Sequence, residues 1–307
     1  MPIQKEVWAA DIKEKLFPSD SFLAQSVDDT PFADNKTVHR AVAGAVPGVA
    51  RNRQTVPAAI QRRTDDDASY DLDEFTSDPT LIRDIEEVEV NYNKRQSVLR
   101  SHLNTINLQV ANWMQYHWAP TPAANIIRTT GSARAAIAST FGATGNRKKL
   151  LLADIFKLAA LFDDMDLTEQ NRNLLLPSAM YNDLVEANWA TLLQLQAEGS
   201  ALLKDGSLMM LHGFRIWKRG GKNLLTYTNA GTPVKLSPDA ATLSTANAAA
   251  LAWHPDFVTR AKGEVKVFEN LDDATMYGSV FSALVRAGGR AQYPDWLGVA
   301  AIVEDAA

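Results

Sequence analysis

Between Ser77 and Pro120 apolar residues return every three or four positions: Val88, Tyr92, Leu99, Leu103, Ile106, Val110 and Trp113, with one gap at Arg95. A helix puts residues at that spacing on one face. The pattern therefore predicts a single rod of about 40 residues, roughly 60 Å long. Asp78 is placed to cap it, Pro79 suits its first turn, Pro120 ends it, and a kink is expected near Val90–Asn91. A shorter helix is predicted over 3–17 from Ile3, Val7, Trp8, Ile12 and Leu16, and Pro18 stops it. Phe17, Phe22 and Phe32 then punctuate a polar stretch, giving an arm with sticky points.

The period changes to two between 46 and 75. Val56, Ala58 and Ile60 alternate with polar or small residues, as do Tyr70 and Leu72, which predicts two short strands around the polar tip "RRTDDDAS". Pro57 cannot donate to a ladder, so the first strand belongs at an edge. A two-stranded ribbon with so little apolar surface is not stable alone in water; it must project from a body and rest on something else.

Beyond Pro120 the reading is mixed. A helix is predicted over 147–164 after the turn "FGATGN", then a buried strand at Leu174–Leu176, a break at Pro177, and a helix from Ser178 to about Ala187. Strands follow at "LMML" and at "GFRIWKRGG", where Phe214, Ile216 and Lys218 share one face and Arg215 and Trp217 the other. The alanine-rich run 243–253, "GEVKVFE", and a closing segment that is strand-like at both ends complete the chain. The class is α+β, with no repeat and no interdomain linker.

Composition narrows this picture. With 46% apolar and 22% charged residues the chain is globular. Its net charge of −5 disfavours gripping nucleic acid by counterion release. The absence of cysteine removes disulfides and thiolate chemistry. The N-terminus lacks the apolar core of a secretory signal, and the greasiest run, 150–162, is interrupted by Asp154 and Lys157 and too short to span a bilayer, so no membrane role is expected.

Candidate chemistry is sparse. His39, His102, His117, His212 and His254 are dispersed and form no metal-binding frame. "DDMD" at 163–166 lacks the glycine and closing glutamate of a calcium loop. "GATGNRKK" lacks the Lys-Ser/Thr ending of a phosphate loop, and no G-x-S-x-G elbow exists. The adjacent Asp65, Asp66 and Asp67 point different ways, so they read as a solvated or partner-facing patch, not a shared metal site. No catalytic, cofactor or metal residue is therefore assigned.

One ordered set of segments is distinctive. "GNRKKLLLADIFKLAALFDDMDLTEQNRNLLLPSAMYNDLV" is a helix ending in acids, a turn, R-x-L-L-L-P and a second helix. "LHGFRIWKRGG", "LAWHPDFVTRAKGEVKVFE" and "MYGSVFSALVRAGGRAQYPDWLGVAAIVED", with Tyr293–Pro294 at a bend, follow in order. Together they resemble the major capsid proteins of tailed bacteriophages, with the Hong Kong 97 capsid fold, over most of 46–307.

The resemblance implies an N-terminal arm (1–45), an extended β-loop (46–77), a spine helix with the first part of a peripheral domain (78–171), an axial domain (172–268) and a peripheral return (269–307). It leaves no room for a large inserted surface domain or a long scaffolding segment. The implied role is a structural, non-enzymatic shell subunit that assembles as hexamers and pentamers, with portal and scaffolding partners. The shell would enclose DNA without sequence-specific binding, and would be built in the host bacterial cytoplasm as the virion capsid. A nanocompartment shell of the same fold is the alternative, and a soluble α/β enzyme a more distant one. Contacts between subunits are expected from Trp8, Phe17 and Phe22 as apolar anchors, and from Arg51, Arg53, Arg62, Arg63, Asp65, Asp66 and Asp67 as charges that set register.

Overall fold

The computed structural model describes residues 22–34, 36–42, 44, 47–54, 56–58, 60, 62–83, 94–187, 203–204, 207–208, 210–220, 224–273 and 275–307. The predicted helix over 3–17, with Trp8 and Phe17, lies outside them, as do Val88 and Tyr92.

In chain order the first half contains β1 (Thr37–Val42), β2 (Asp66–Asp71), β3 (Asp73–Thr76), β4 (Thr80–Arg83) and α1 (Lys94–Trp118). Next come β5 (Ile126–Arg128), β6 (Ala133–Ala135), β7 (Asn146–Lys148), α2 (Leu152–Asp164), β8 (Arg172–Pro177) and α3 (Ser178–Ala187). The second half is strand: β9 (Phe214–Arg219), β10 (Leu225–Tyr227), β11 (Asn247–Trp253), β12 (Val258–Lys262), β13 (Lys266–Asp273), β14 (Gly278–Ala291) and β15 (Val299–Val303).

A six-stranded sheet is built on β14. At Gly278–Phe281 it pairs with β4 on one edge and with β13 on the other, and further along it pairs with β3 and β12. Helix α1 lies across this sheet. Its buried face is Leu99, Leu103, Ile106, Val110, Met114 and Trp118, a stripe of threes and fours. Small residues on β14 receive it: Ala283, Ala287 and Ala291 pack in the same core as Ile106, Val110, Met114 and Trp118. The Trp118 indole N–H donates to the Thr259 carbonyl at 2.9 Å, which ties the helix end to β12.

The eight-stranded sheet has β8 and β11 at its centre, with β9 parallel to β8 and β15 antiparallel to β11. Helices α2 and α3 cover one face, where Ile155, Leu158, Phe162, Met180 and Leu184 meet Leu174, Leu176, Ala250 and Ile302. The alternate residues Leu175, Leu251, Trp253, Ala301 and Val303 face the core shared with α1. All seven residues of β11 are therefore buried, and this accounts for the continuous run "NAAALAW". Alanines keep the strand thin enough for two layers to pack against it.

Two predicted elements are corrected. The rod expected from Asp78 is α1 alone among the described residues, 25 residues long, and Thr80–Arg83 is a strand. Ile82 fills a small cluster with Leu99 and Phe281, so extended backbone there gains both an edge ladder and a buried side chain. The helix expected from 147 begins at Leu152, because 146–148 pairs with 133–135. The expected break between 172–268 and 269–307 also does not follow the sheets. β12 and β13 sit with β14, whereas β15 joins the eight-stranded sheet.

Candidate inter-subunit surface

The ribbon exists, but its strands are β1 and β2, paired from Thr37↔Asp71 to Val42↔Asp66. The first strand predicted at Val56–Ile60 is a correction: Val56 and Ile60 are 83% and 99% exposed and lie in the connecting loop. The sequence "TVHRAV" wins the strand position because Val38 can be buried against Leu72 and Ala261 at the ribbon's foot. Among the described residues nothing comparable covers Val56. The foot is also fixed by Asp29, fully buried, which accepts from the Arg40 guanidinium at 2.8 Å and from the Tyr70 hydroxyl at 3.4 Å.

The charges then separate. Asp67 pairs with His39 across the ribbon at 2.8 Å. Asp65 accepts from the Gly44 N–H at 2.9 Å and from Arg63 at 2.5 Å. The Gly44 bond first, and Arg63 second, hold the Asp65 carboxyl below the usual carboxylate range. Asp66 enters the ladder opposite Val42. Asp65 and Asp67 are thus engaged with their own ribbon, by contacts exposed to solvent. Arg51, Arg53 and Arg62 are exposed in the loop, which has no acidic residue between Gly44 and Thr64.

Phe22 was expected to reach a neighbour, and the structure places it in this chain's own core. It is 8% exposed, edge-on to Trp118 at 6.2 Å and to Trp253 at 6.0 Å, beneath the Arg219 guanidinium. An aromatic amid polar residues does not reveal in sequence which core it enters; the pair of tryptophans it joins is contributed from about 100 and 230 positions away.

Sequence reasoning missed a second projecting surface. The β13–β14 hairpin ends in exposed Leu271, Met276 and Tyr277, with Phe268 exposed on its stem, among Glu269, Asp272 and Asp273. The available signal was "FENLDDATMY", large apolar residues interleaved with acids where neither helix nor strand periodicity buries them. Among the described residues no group of three or more His, Cys, Asp or Glu side chains is placed to hold a metal ion, and no helix is long and apolar enough to cross a membrane.

This architecture matches solved shells along nearly its full length. Against the capsid of Ralstonia phage GP4 the TM-score is 0.63 at 12% identity, covering 96% of this chain and 90% of that one. Against the capsid of cyanophage P-SCSP1u it is 0.59 at 18% identity, covering 92% and 86%. Against the capsid of a native GTA particle it is 0.58 at 12% identity, covering 95% and 91%. No protein-family model matches the sequence, and no curated protein matches it. The fold is that of a viral capsid subunit. Within that class it is the α+β Hong Kong 97-type fold of tailed-phage heads.

Proposed function

We propose that this chain is the major capsid subunit of a tailed bacteriophage, a structural protein that assembles with copies of itself into the icosahedral head shell and encloses DNA. The observation that carries the reading is the two-way coverage: capsid subunits match more than nine-tenths of this chain with nearly nine-tenths or more of their own length. In this reading α1 and the six-stranded sheet form the peripheral domain, the eight-stranded sheet with α2 and α3 the axial domain, and 37–71 the extended loop. Trp8 and Phe17 anchor an N-terminal arm on neighbouring copies. Portal and scaffolding proteins are its further partners, the host cytoplasm its place of assembly and the virion its destination. A net charge of −5 suits a container that must release its genome, since few counterions are exchanged on contact with DNA. No catalytic role is proposed.

Expression of the chain, followed by negative-stain electron microscopy, is expected to show closed shells or tubes. A protein that stays monomeric by light scattering at all salt and protein concentrations would sink the reading. Particles that carry a host enzyme in place of DNA would transfer it to a nanocompartment.

A further inference from the structure

The first described residues are stitched to the body. Phe22 lies edge-on to Trp118 and Trp253, the Leu23 carbonyl accepts from Arg260 and from the Ser26 hydroxyl, and the Gln25 carbonyl accepts from the Trp253 indole N–H at 2.7 Å. The segment 1–21 is therefore tethered at one fixed point, the Phe22 ring, with the Arg219 guanidinium 5.5 Å above it.

That guanidinium is only partly satisfied. Arg219 ends β9 and reaches across to α1, where Nη2 donates to Asn112 Oδ1 at 2.7 Å and to the Leu108 carbonyl at 3.4 Å. Nη1 is shut off from solvent and has no hydrogen-bond partner among the described residues. Gln115 is 4% exposed and stacks on the same side of α1 as Leu108 and Asn112; its Nε2 is orphaned in the same way. Burial alone pulls the Arg219 group down to about 10, and no described carboxylate pulls it back. One side of α1 is thus short of acceptors, and one of the donors it leaves unmet is a cation. Shielded donors and charges of this kind are costly unless something pairs with them.

We propose that the Asp20 carboxylate is the missing acceptor: it pairs with Arg219 and fastens the root of the segment 1–21 into the angle between α1 and the eight-stranded sheet. The sequence "PSDSF" puts Asp20 two residues ahead of Phe22. Two residues of chain span at most about 7 Å, so its carboxylate reaches the group that Phe22 already lies beneath. Ser19 and Ser21 share that reach but carry no charge, and the next acid upstream, Glu14, is eight residues from Phe22. With the root pinned, Phe17 can seat no further than about 18 Å from Phe22, so this contact limits where the apolar anchors of the arm fall. The contact lies within one chain and stands whether or not the chain builds a shell.

The test is a double-mutant cycle on the full-length chain, read as the thermal midpoint at pH 7.5. D20N and R219M should each lower Tm by roughly 3 °C or more. D20E should recover most of the first loss, and D20N/R219M should melt no lower than R219M, because the partner is already gone. A wild-type midpoint in D20N, or losses that simply add, would overturn the pairing. So would a D20N midpoint at the wild-type value together with a rise in phosphate that R219M abolishes, the mark of a free anion at the same guanidinium. A coupling found only in assembled particles would place the carboxylate on a different copy and overturn the one-chain contact. Each of these outcomes leaves the shell reading to the imaging experiment above.

Discussion

Gly289→Val leaves the chain unfolded or insoluble. Gly289 lies on β14 where α1 ends against the sheet. A Cβ added there would sit 2.4 Å from the Thr259 carbonyl oxygen, 2.9 Å from Met114 Sδ and 3.1 Å from Trp118 Nε1. The first of these is strand backbone, held in register with Gly289 by the Arg260↔Gly289 pair next to it. It cannot swing aside as a side chain would. It is also the acceptor of the Trp118 indole N–H, so any displacement breaks a buried hydrogen bond as well as forcing the helix outward. Overpacking a core costs about 1–3 kcal/mol and a broken buried hydrogen bond a further 1–3 kcal/mol or so. A loss of about 3–5 kcal/mol is a large part of the roughly 5–15 kcal/mol that holds a domain together. Valine adds two methyl groups to the clash that alanine would already create, so Gly289→Ala should be soluble but lowered in Tm. Gly48 is the control. No atom lies within 4 Å of the position its Cβ would take, and Gly48→Val should unfold like the wild type. Wild-type thermal stability in G289V would remove the α1–β14 contact from the account of this fold.

That contact also shows what the sequence does and does not disclose. The apolar stripe from Leu99 to Val110 is local, so its period was readable. The same holds for the Leu174–Leu176, Pro177, Ser178 punctuation, which becomes β8 and the start of α3. The errors fall where pairing is long-range. Thr80–Arg83 continued a plausible helix, and only its β14 partner, some 200 residues later, makes extended backbone the better choice. Likewise "TVHRAV" and "TVPAAI" both alternate; the first becomes β1 because Ala261 offers Val38 a buried seat. The glycine at 289 was unremarkable in sequence, since its requirement comes from three groups on two other elements. At the candidate surface, the arginines were readable as a solvated cluster. The engagement of Asp65 and Asp67 by their own ribbon depends on folds of the chain that no local pattern encodes, whereas the exposed end of the β13–β14 hairpin left a local signal in "FENLDDATMY".

Arg134→Met is expected to cost about 3–5 kcal/mol at neutral pH, and the loss should shrink on acidification. Arg134, on β6, donates through Nε to Asp183 of α3 at 2.8 Å and faces Glu304, just past β15, through Nη1 at 2.7 Å. Both carboxylates are buried, and Glu304 also accepts from the Ala248 N–H at 3.0 Å. One guanidinium thus joins a helix, a hairpin and the end of the central sheet. Removing one partner from a buried ionic cluster strands the others, and it is the uncompensated charge that carries most of the cost. Burial pushes the Glu304 carboxyl above its ordinary 4.5, and Arg134 pulls it back. A raised carboxylate pKa means that the folded chain binds the extra proton, so the stability from Glu304 is fully present below 4.5 and is lost as pH rises through the folded value. Without Arg134 that folded value climbs further and the window widens toward neutrality. Urea midpoints at pH 7.5 and 5.5 should therefore show a larger deficit for R134M at the higher pH. Adding Glu304→Gln, which keeps an acceptor for Ala248 and removes the charge, should recover much of the loss at pH 7.5 and little at pH 5.5, a non-additivity expected of groups in one network. A deficit independent of pH, with no recovery in R134M/E304Q, would mean that Arg134 acts through packing of its stem and that Glu304 is neutralised by other means.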